Sequence, residues 1–491
     1  MGLTIIKEAN RCLQCKKPMC QQGCPVHTPI PKVIDKFKNN DLMAAGKILF
    51  ENNPMSVVCS IVCDHDAQCA GHCVLGKKGS PVTFFNIEHF VSDAYLDRMR
   101  FVQKEKKGKK VAVIGSGPAG MTVAILLAQN GYGVTIFDDN DRIGGMLQYG
   151  IPGFRLPKAV LKRYEKKMAQ MGICFRPNTA LGESLTIQDL FRDGYKAVFV
   201  GTGVWRPKSI GIEGESLANV HFGISYLANP SAYNLGEKVA IIGMGNVAMD
   251  VARSAIRLGA KTVKIAYRRR KADMTALAEE VEGAVADGCE IMELNAPTRI
   301  EKTDDGKVAA LWVQPQIVGE VKWGRPAPVN ADAPEVRIAC DKVLVAIGQS
   351  IESAHFADNG IPVNRRRIAA KDTGDFDGID GVFSGGDCVT GPATVIKAIA
   401  GGKVAAANID EYLGFDHEIT SGVELPPVRF ADREPMGRVN MTERPASERT
   451  KDFDLMEFPM TDQEACQESG RCLQCDHFGC GKLKGGRELK W

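Results

Sequence analysis

The chain has 491 residues, and its 62 Lys and Arg almost balance its 59 Asp and Glu, which leaves a net charge of +3. Because the charges are nearly balanced, we expect no strong positive electrostatic potential that would bind nucleic acid or an anionic membrane. No apolar run is long enough to span a membrane. Because Met1 to Asn10 also lacks a signal-peptide pattern, we expect a soluble, cytoplasmic protein of about three domains.

Eight of the sixteen cysteines come before residue 74, in two groups of four. Closely spaced thiolates, here with the first group ending in Cys-Pro, are typical of chains that wrap cubane iron–sulfur clusters. Disulfides suit small secreted domains, and zinc ribbons use paired C-x2-C knuckles far apart, so clusters are favoured over both. The groups are Cys12, Cys15, Cys20 and Cys24, spaced C-x2-C-x4-C-x3-C, and Cys59, Cys63, Cys69 and Cys73, spaced C-x3-C-x5-C-x3-C.

Residues 1 to about 105 are predicted to form a small helical domain around these cysteines. Apolar residues recur at helical spacing from Pro31 to Leu49 and again from Ile87 to Met99. The highly charged stretch from Lys104 to Lys110 is interpreted as a linker or a solvated surface.

A dinucleotide-binding motif follows this domain. Val111 to Ile114 is predicted to be a buried strand, and a helix from Met121 to Asn130 follows the glycine loop. A second strand then ends at Asp138, 23 residues after the first glycine. In such motifs the glycines let the backbone approach a pyrophosphate and the acid accepts from a ribose hydroxyl, so the site predicts FAD or NAD. The loop residues are Gly115, Gly117, Pro118, Ala119 and Gly120.

The same pattern recurs between the strands Lys238 to Ile242 and Val263 to Ala266. In this second motif, Tyr267 stands at the position where the first motif has its ribose-binding acid, and Arg268 and Arg269 follow it. Because arginine binds a ribose 2′-phosphate where an acid would repel it, this second site predicts NADP(H) over NAD(H). A solvated basic turn is the alternative. The second loop contains Gly243, Gly245, Asn246 and Val247.

Two further strands end in glycines, at Gly203 and at Gly348, as expected where a chain passes between an FAD domain and an inserted nicotinamide domain. A third strand ends at Gly386 and Asp387, and Thr394 and Val395 lie at the start of the next helix. We expect Asp387 to bind the flavin ribityl chain or phosphate, with a simple helix N-cap as the alternative. Cys388 has no partner cysteine nearby, so electrons are not expected to leave the flavin through a disulfide.

A third cysteine box stands near the end of the chain, after a Pro-, Arg- and Glu-rich linker. Its Arg-Cys-Leu-Gln-Cys core, with another cysteine five residues on, repeats the sequence around Cys12 and Cys15. The repeat predicts a further iron–sulfur cluster, [4Fe-4S] or [2Fe-2S], with zinc as the alternative. The box contains Cys466, Cys472, Cys475 and Cys480.

Taken together, these motifs resemble the glutamate synthase small-chain family of FAD-dependent NADPH oxidoreductases. That family includes the large subunit of the NADH-dependent reduced ferredoxin:NADP oxidoreductase and the N-terminal half of dihydropyrimidine dehydrogenase. The resemblance covers about residues 5 to 413 and includes the segment from Gly144 to Lys158, in which Gly145, Met146 and Leu147 would contact the flavin. The C-terminal box departs from the family.

The resemblance implies an α/β fold with two Rossmann-like dinucleotide-binding domains, an FAD domain with an inserted NADP domain, preceded by a helical iron–sulfur domain. The implied boundaries are residues 1–105 for the cluster domain, 106–235 and 346–414 for the FAD domain, and 236–345 for the NADP domain. Residues 415–460 would form a linker or strap, and residues 461–491 the cysteine box.

The resemblance also implies how the N-terminal cysteines share two [4Fe-4S] clusters. Cys12, Cys15, Cys20 and Cys73 would hold one cluster. Cys24, Cys63 and Cys69 would hold the other, with Glu88 as its fourth ligand and His89 as the alternate. Cys59 would then be spare and structural.

Three functions fit this reading. The first is the NADP-handling subunit of a ferredoxin-linked complex with other redox subunits, for example an electron-bifurcating transhydrogenase. The second is a glutamate synthase small chain, and the third is a structural subunit that conducts electrons while its nicotinamide site is idle. Hydride transfer needs orientation and no nucleophile, so no catalytic acid or base is predicted.

Overall fold

The computed structural model describes residues 2–415 except 102–107, 183, 323–324 and 352–353, together with residues 417 and 419. These residues fall into two compact units: residues 316–331 lie in the second unit and the others lie in the first. Nearly all of the expected linker and the whole C-terminal cysteine box lie outside the described residues.

The N-terminal part is helical, as the spacing of its apolar residues predicts. Residues 31–49, however, form two helices, because Asn40 has a φ of +59° and Asp41 caps the second helix by accepting from the Ala44 N–H at 3.0 Å. A buried core that includes Ile34 and Ile87 lies between the helices. The helices are α1 Gly2–Asn10, α2 Met19–Gln22, α3 Ile30–Lys38, α4 Leu42–Asn52, α5 Ser56–Val62 and α6 Phe84–Arg98.

Strands and helices alternate from residue 110 onward. Residues 110–207 contain β1 Lys110–Ile114, α7 Pro118–Gln129, β2 Gly133–Phe137, α8 Met146–Tyr149, α9 Lys158–Gln170, β3 Cys174–Arg176, α10 Ile187–Arg192, β4 Ala197–Val200 and β5 Arg206–Pro207. Residues 220–350 contain β6 Val220–Phe222, α11 Gly223–Ala228, β7 Lys238–Ile242, α12 Asn246–Arg257, β8 Thr262–Tyr267, α13 Ala278–Ala286, β9 Cys289–Glu293, β10 Asn295–Lys302, β11 Val308–Lys322, β12 Arg325–Asn330, β13 Val336–Ala339, β14 Lys342–Val345 and β15 Gln349–Ser350. Residues 354–412 contain α14 Ala354–Asp358, β16 Val363–Asn364, β17 Arg367–Ile368, β18 Val382–Ser384, α15 Asp387–Thr390 and α16 Val395–Tyr412.

Two five-stranded parallel sheets carry the two glycine loops. The first has the order β18-β4-β1-β2-β3, and the second has the order β6-β14-β7-β8-β9. The four apolar residues of β1 and all of β4 are buried, as expected of parallel strands covered on both faces. Because the strands of each sheet are parallel, the loops after their carboxyl ends gather at one edge of that sheet.

The chain passes twice between the two sheets. It leaves the first sheet after β4 and returns to it at β18, so the second sheet is inserted in sequence. The two passages lie side by side, because β5 pairs with β15 in an antiparallel ladder of Arg206 with Ser350 and Pro207 with Gln349. β6 joins the second sheet although it precedes residue 236.

The long helix α16 packs closely against α7. A Cβ atom at Gly402 would lie 2.6 Å from the Ala119 carbonyl oxygen, so only glycine allows the two backbones to approach this far. The contact places the start of α16 beside the first glycine loop.

An antiparallel sheet follows β9. The first part of β11 pairs with β10 and β13, and residues 316–322 pair with β12 in a hairpin that makes up the described part of the second unit. Among the helices of the described residues, none has the length and apolar character to cross a membrane.

Candidate functional site

A cavity of about 930 Å³ brings together residues from three parts of the first unit. The first glycine loop contributes Gly115 and Gly117, and the start of α12 contributes Asn246 and Val247. The cluster domain contributes residues 62 and 64, on either side of Cys63. Further lining residues among those predicted from the sequence are Pro118, Ala119, Asp138, Gly145, Met146, Gly203, Gly386, Asp387, Thr394 and Val395.

The first loop has the shape that a pyrophosphate site needs. Gly115 has a φ of +97°, and a Cβ atom there would lie 2.4 Å from the Gly201 carbonyl oxygen, so the tight turn requires glycine. Gly120 lies under the loop, where a Cβ atom would collide with the Gly115 carbonyl oxygen. The N-terminus of α7 therefore opens onto the cavity, where its backbone N–H groups could bind an anion.

Asp138 ends β2 beside this loop and is buried. Its carboxylate accepts from the Ser116 N–H at 2.6 Å and from the Asn140 N–H and side-chain amide at 2.9 and 3.0 Å. Three of about four lone-pair positions are thus used, and one remains for a ribose hydroxyl. The carboxylate both fixes the glycine loop and lines the cavity.

Two buried polar atoms of residues that line the cavity lack a protein partner: Asp387 Oδ1 and Thr394 Oγ1. Burial raises the pKa of Asp387 to about 6. Asp387 is the first residue of α15, whose N-cap is Gly386, and no side-chain cap is present, so the N-cap alternative does not account for the carboxylate. A hydroxyl-rich ligand such as the ribityl chain of FAD would satisfy both atoms, which is the observation that fits FAD to this cavity.

Some predicted flavin residues act indirectly. Leu147 is fully buried in the core, and its carbonyl oxygen accepts from Lys158 Nζ at 2.6 Å. The same ammonium also donates to the Ile151 carbonyl oxygen, and burial lowers the pKa of Lys158 to about 8. Lys158 therefore holds the segment from Gly145 to Ile151 against the cavity.

The second glycine loop is built like the first. Gly243 has a φ of +129°, and a Cβ atom there would lie 2.3 Å from the Ala346 carbonyl oxygen. Asn246 Oδ1 accepts from the Leu277 N–H at 2.9 Å and so ties α12 to the start of α13. Gly243, Gly245, Arg268 and Arg269 do not line the 930 Å³ cavity, whereas Asn246 and Val247 do.

The basic residues after β8 differ in their surroundings. Arg270 pairs with Asp273 at 2.7 Å, and Tyr267 donates to the Asp273 carbonyl oxygen at 3.0 Å. Arg268 is exposed and, among the described residues, forms no ion pair. Arg268 is therefore the arginine most available to an incoming phosphate, while Arg270 is held by its own turn.

The N-terminal thiols separate into two groups in space. Cys12, Cys15, Cys20 and Cys73 line one cavity, and Cys69 of the second group lines it too. Burial, followed by the charges of Cys73 and its neighbours, raises the pKa of Cys20 to about 12. No group of three His, Cys, Asp or Glu side chains within the described residues closes around a single metal ion. Thiols that are pressed together in this way are stabilised as thiolates by a bound cationic cluster, which is larger than one ion.

The second group consists of Cys24, Cys63 and Cys69 around Glu88. Burial is the main cause that raises the pKa values of Cys63 and Cys69, and Glu88 and Cys24 add to it. Glu88 is buried, and burial raises its pKa to about 8, whereas His89 is exposed and its Nδ1 lies 3.1 Å from Ser60 Oγ. The structure thus brings Glu88, and not His89, to the thiols.

Cys59 lies beside the second group, because burial, followed by the charges of Cys63 and Glu88, raises the pKa of its thiol. Its Sγ accepts from Asn53 Nδ2 at 3.2 Å, and the side chain lies in the core with Met55 and Val58. This surrounding suits a structural cysteine.

A buried ion-pair network that was not predicted joins the segment after Ile151 to α12 and α13. Arg155 donates to both carboxylate oxygens of Asp250 at 2.9 and 3.1 Å, and its Nε lies 2.6 Å from Glu280. Arg253 binds the other oxygen of Glu280 at 2.6 Å. Asp250 and Arg155 both line the cavity, so the network fixes the start of α12 relative to the segment after Ile151 at this cavity. Arg155 stands in a motif that the sequence displayed, but its acidic partners are 95 and 125 residues away and have no sequence signal.

Comparisons with known proteins agree with this arrangement. Residues 2–99 match the dihydropyrimidine dehydrogenase domain II, 4Fe-4S cluster, family, and residues 64–186 and 109–402 match the pyridine nucleotide-disulphide oxidoreductase family. In fold, the chain is similar to Mycobacterium tuberculosis FprA in complex with NADPH, with a TM-score of 0.53 at 18% identity over 62% of this chain and 85% of that one. The expected α/β fold with a helical N-terminal iron–sulfur domain is confirmed.

Curated relatives cover most of the chain. The glutamate synthase [NADPH] small chain of Escherichia coli is 34% identical and spans 83% of this chain and 91% of its own length. The NADP(+)-dependent formate dehydrogenase subunit beta of Moorella thermoacetica is 33% identical, over 96% of this chain and 72% of its own length. The NADPH-Fe(3+) oxidoreductase subunit beta of Geobacter sulfurreducens is 29% identical, over 93% of this chain and 75% of its own length. The chain is therefore an NAD(P)H-dependent FAD and iron–sulfur oxidoreductase that belongs to the glutamate synthase small-chain-like family.

Proposed function

We propose that this protein passes electrons between NADP(H), FAD and two N-terminal [4Fe-4S] clusters, as one subunit of a larger redox complex. The observation that best supports this proposal is the shared cavity. The first glycine loop, the start of α12 and the residues flanking Cys63 all line it. Bound FAD would exchange a hydride with the nicotinamide and release single electrons, which iron–sulfur clusters carry.

The protein's own residues bind and orient in this scheme. The α7 N-terminus and Asp138 would hold the pyrophosphate and ribose of FAD, and Asp387 with Thr394 would hold the ribityl chain. Asn246 and Val247 would place the nicotinamide against the flavin. Because α12 reaches the cavity, the geometry favours a working nicotinamide site over an idle one.

The length of the alignments favours a partner other than the glutamate synthase large chain. The glutamate synthase small chain spans 83% of this chain, whereas the two beta subunits span 96% and 93%. We therefore propose that the subunit serves a complex related to those beta subunits and works in the cytoplasm. Ferredoxin as a partner and electron bifurcation remain predictions, and the glutamate synthase role is the second candidate.

The nucleotide preference tests the nicotinamide site. Arg268→Ala should weaken the binding of NADPH by about 1.5–3 kcal/mol, which is roughly ten- to hundredfold in Kd. The binding of NADH should stay nearly unchanged, because only NADPH carries the 2′-phosphate. Stopped-flow reduction of the flavin under anaerobic conditions measures both nucleotides.

A matched control is Lys261→Ala, which removes an exposed cation at the other end of β8, where Lys261 pairs with Glu237. The control should leave both nucleotides unaffected. Equal losses for NADPH and NADH in Arg268→Ala would contradict phosphate recognition and would mean that the residue supports the fold.

The C-terminal box is proposed to hold a further iron–sulfur cluster that passes electrons to the partner. In the full chain, the double change Cys472→Ser and Cys475→Ser should lower the iron content by one cluster and leave flavin reduction by NADPH intact. Metal analysis and stopped-flow measurements check this, with Cys174→Ser, an exposed cysteine outside the boxes, as the control. A loss of zinc with full retention of iron would refute the proposal.

A further inference from the structure

Lys403 is a buried cation in the middle of α16. Its residue is 4% exposed, and its Nζ donates to Asn52 Oδ1 at 2.8 Å and to the Val26 carbonyl oxygen at 3.5 Å. Both partners are neutral, and no carboxylate among the described residues pairs with this ammonium. Because a buried charge without a counter-charge is destabilising, an anion is expected close to it.

A continuous chain of hydrogen bonds leads from Lys403 to the Cys24 sulfur. Asn52 Nδ2 donates to Thr28 Oγ1 at 3.4 Å, and Thr28 Oγ1 lies 3.3 Å from Cys24 Sγ. An ammonium only donates, and a thiolate ligand only accepts. Asn52 therefore accepts from Lys403 and donates to Thr28, which turns its own proton to the sulfur. Every proton of the chain then points toward Cys24.

The electrostatics of these groups agree with that direction. Burial lowers the pKa of Lys403 to about 8, and Cys24 is the group that raises it. Burial, followed by the charge of Lys403, lowers the pKa of His27, which also lies beside Cys24.

The position of α16 connects this chain with the flavin cavity. Its N-terminal residues Thr394 and Val395 line the cavity, and two turns further along Lys403 reaches the cluster domain. Residues 62 and 64, which flank Cys63, line the same cavity. The second group of thiols is thus the group beside the flavin cavity.

We propose that Lys403, acting through Asn52 and Thr28, raises the reduction potential of the cluster held by Cys24, Cys63 and Cys69. This inference rests on the proposed function, which places a cluster on those thiols. Hydrogen bonds to ligand sulfur and a nearby positive charge both stabilise the reduced cluster, which carries one more negative charge. Reduction adds one electron and transfers no atom, so Lys403 keeps its proton and acts as a positioning residue.

The test compares three full-length variants after anaerobic purification. Lys403→Met removes the charge, Thr28→Val removes the hydroxyl at nearly constant volume, and Lys397→Met removes an exposed lysine of the same helix as the control. EPR-monitored redox titration measures the midpoint potentials, and the signal of the second cluster is the one that Cys63→Ala abolishes. Lys403→Met should lower that potential by about 59 mV, which is a tenfold change for one electron.

Thr28→Val should lower the potential in the same direction by less, and Lys397→Met should not change it. Unchanged potentials in both Lys403→Met and Thr28→Val would overturn the proposal, and so would an equal shift of the flavin and both clusters. If Lys403→Met fails to assemble the cluster, Thr28→Val decides alone. A wild-type protein without iron or cluster signals would instead refute the proposed function.

Discussion

Gly117→Val is expected to fold, to keep its iron and to lose FAD almost completely. A Cβ atom at Gly117 would meet no atom within 4 Å, so the side chain would enter the cavity without a clash inside the protein. The backbone has φ −67° and ψ −176°, which valine adopts readily. The added side chain would occupy the space through which a pyrophosphate approaches the N-terminus of α7.

The measurement is the ratio of flavin to protein after purification, together with iron content and far-UV circular dichroism. Gly133→Val is the matched control, since Gly133 is exposed at the start of β2 and its Cβ would make only ordinary contacts, the nearest at 3.7 Å. The control should retain its flavin. Full FAD occupancy in Gly117→Val would show that the first loop does not hold the pyrophosphate.

Arg155→Ala is expected to lower the free energy of unfolding by about 3–5 kcal/mol, because it leaves the buried Asp250 carboxylate without its partner and removes one of the two arginines that pair with Glu280. The side chain of Arg155 is 13% exposed, and those of Asp250 and Glu280 are 5% and 9% exposed. Hydride transfer should slow as well, since Asp250 of this network lines the cavity that we propose holds the nicotinamide. Urea unfolding and stopped-flow flavin reduction by NADPH measure the two effects.

The loss of stability should depend on pH. Burial raises the pKa of Asp250 to about 7, and Arg155 opposes that rise. Without Arg155, Asp250 stays protonated to higher pH, and ionising it costs more. The difference in unfolding free energy between the wild type and Arg155→Ala should therefore be larger at pH 8 than at pH 5.5. At pH 5.5 Asp250 is neutral in both the wild type and the variant.

Arg163→Ala is the control for Arg155→Ala, because Arg163 pairs with the more exposed Asp93 and Asp97 at 2.5 and 2.9 Å. Its removal should change the unfolding free energy by about 1 kcal/mol or less and leave hydride transfer unchanged. An Arg155→Ala protein that matched this control in both measurements would exclude a structural role for the network.

The local parts of the fold could be predicted from the sequence. β7 spans Lys238–Ile242, as predicted, and β1 Lys110–Ile114 contains the predicted strand Val111 to Ile114, because a short apolar run before a glycine loop has few alternative structures. The break at Asn40 was missed, since a single residue with positive φ does not interrupt the apolar spacing on either side.

The long-range parts could not be predicted in the same way. Spacing shows that Cys12 and Cys73 are ligand types, but only the fold decides that they face one cavity. The sequence contained only a weak indication that Lys403 is buried. It stands in an otherwise apolar stretch of α16, which is expected to pack in the core, and a lysine is rarely found there. Its partners Val26 and Asn52 lie more than 350 residues earlier, so sequence alone does not reveal what it contacts.

The pairing of β5 with β15 has a consequence for how such proteins diversify. The chain enters and leaves the inserted nicotinamide portion through one two-residue ladder, so the ends of that portion are close together in space. Segments whose ends lie close together can be exchanged or replaced with little disturbance to the remaining host. A recombination event at residues 206 and 350 would deliver a new coenzyme preference in one step, while the flavin cavity and the cluster ligands of the recipient stayed as they were.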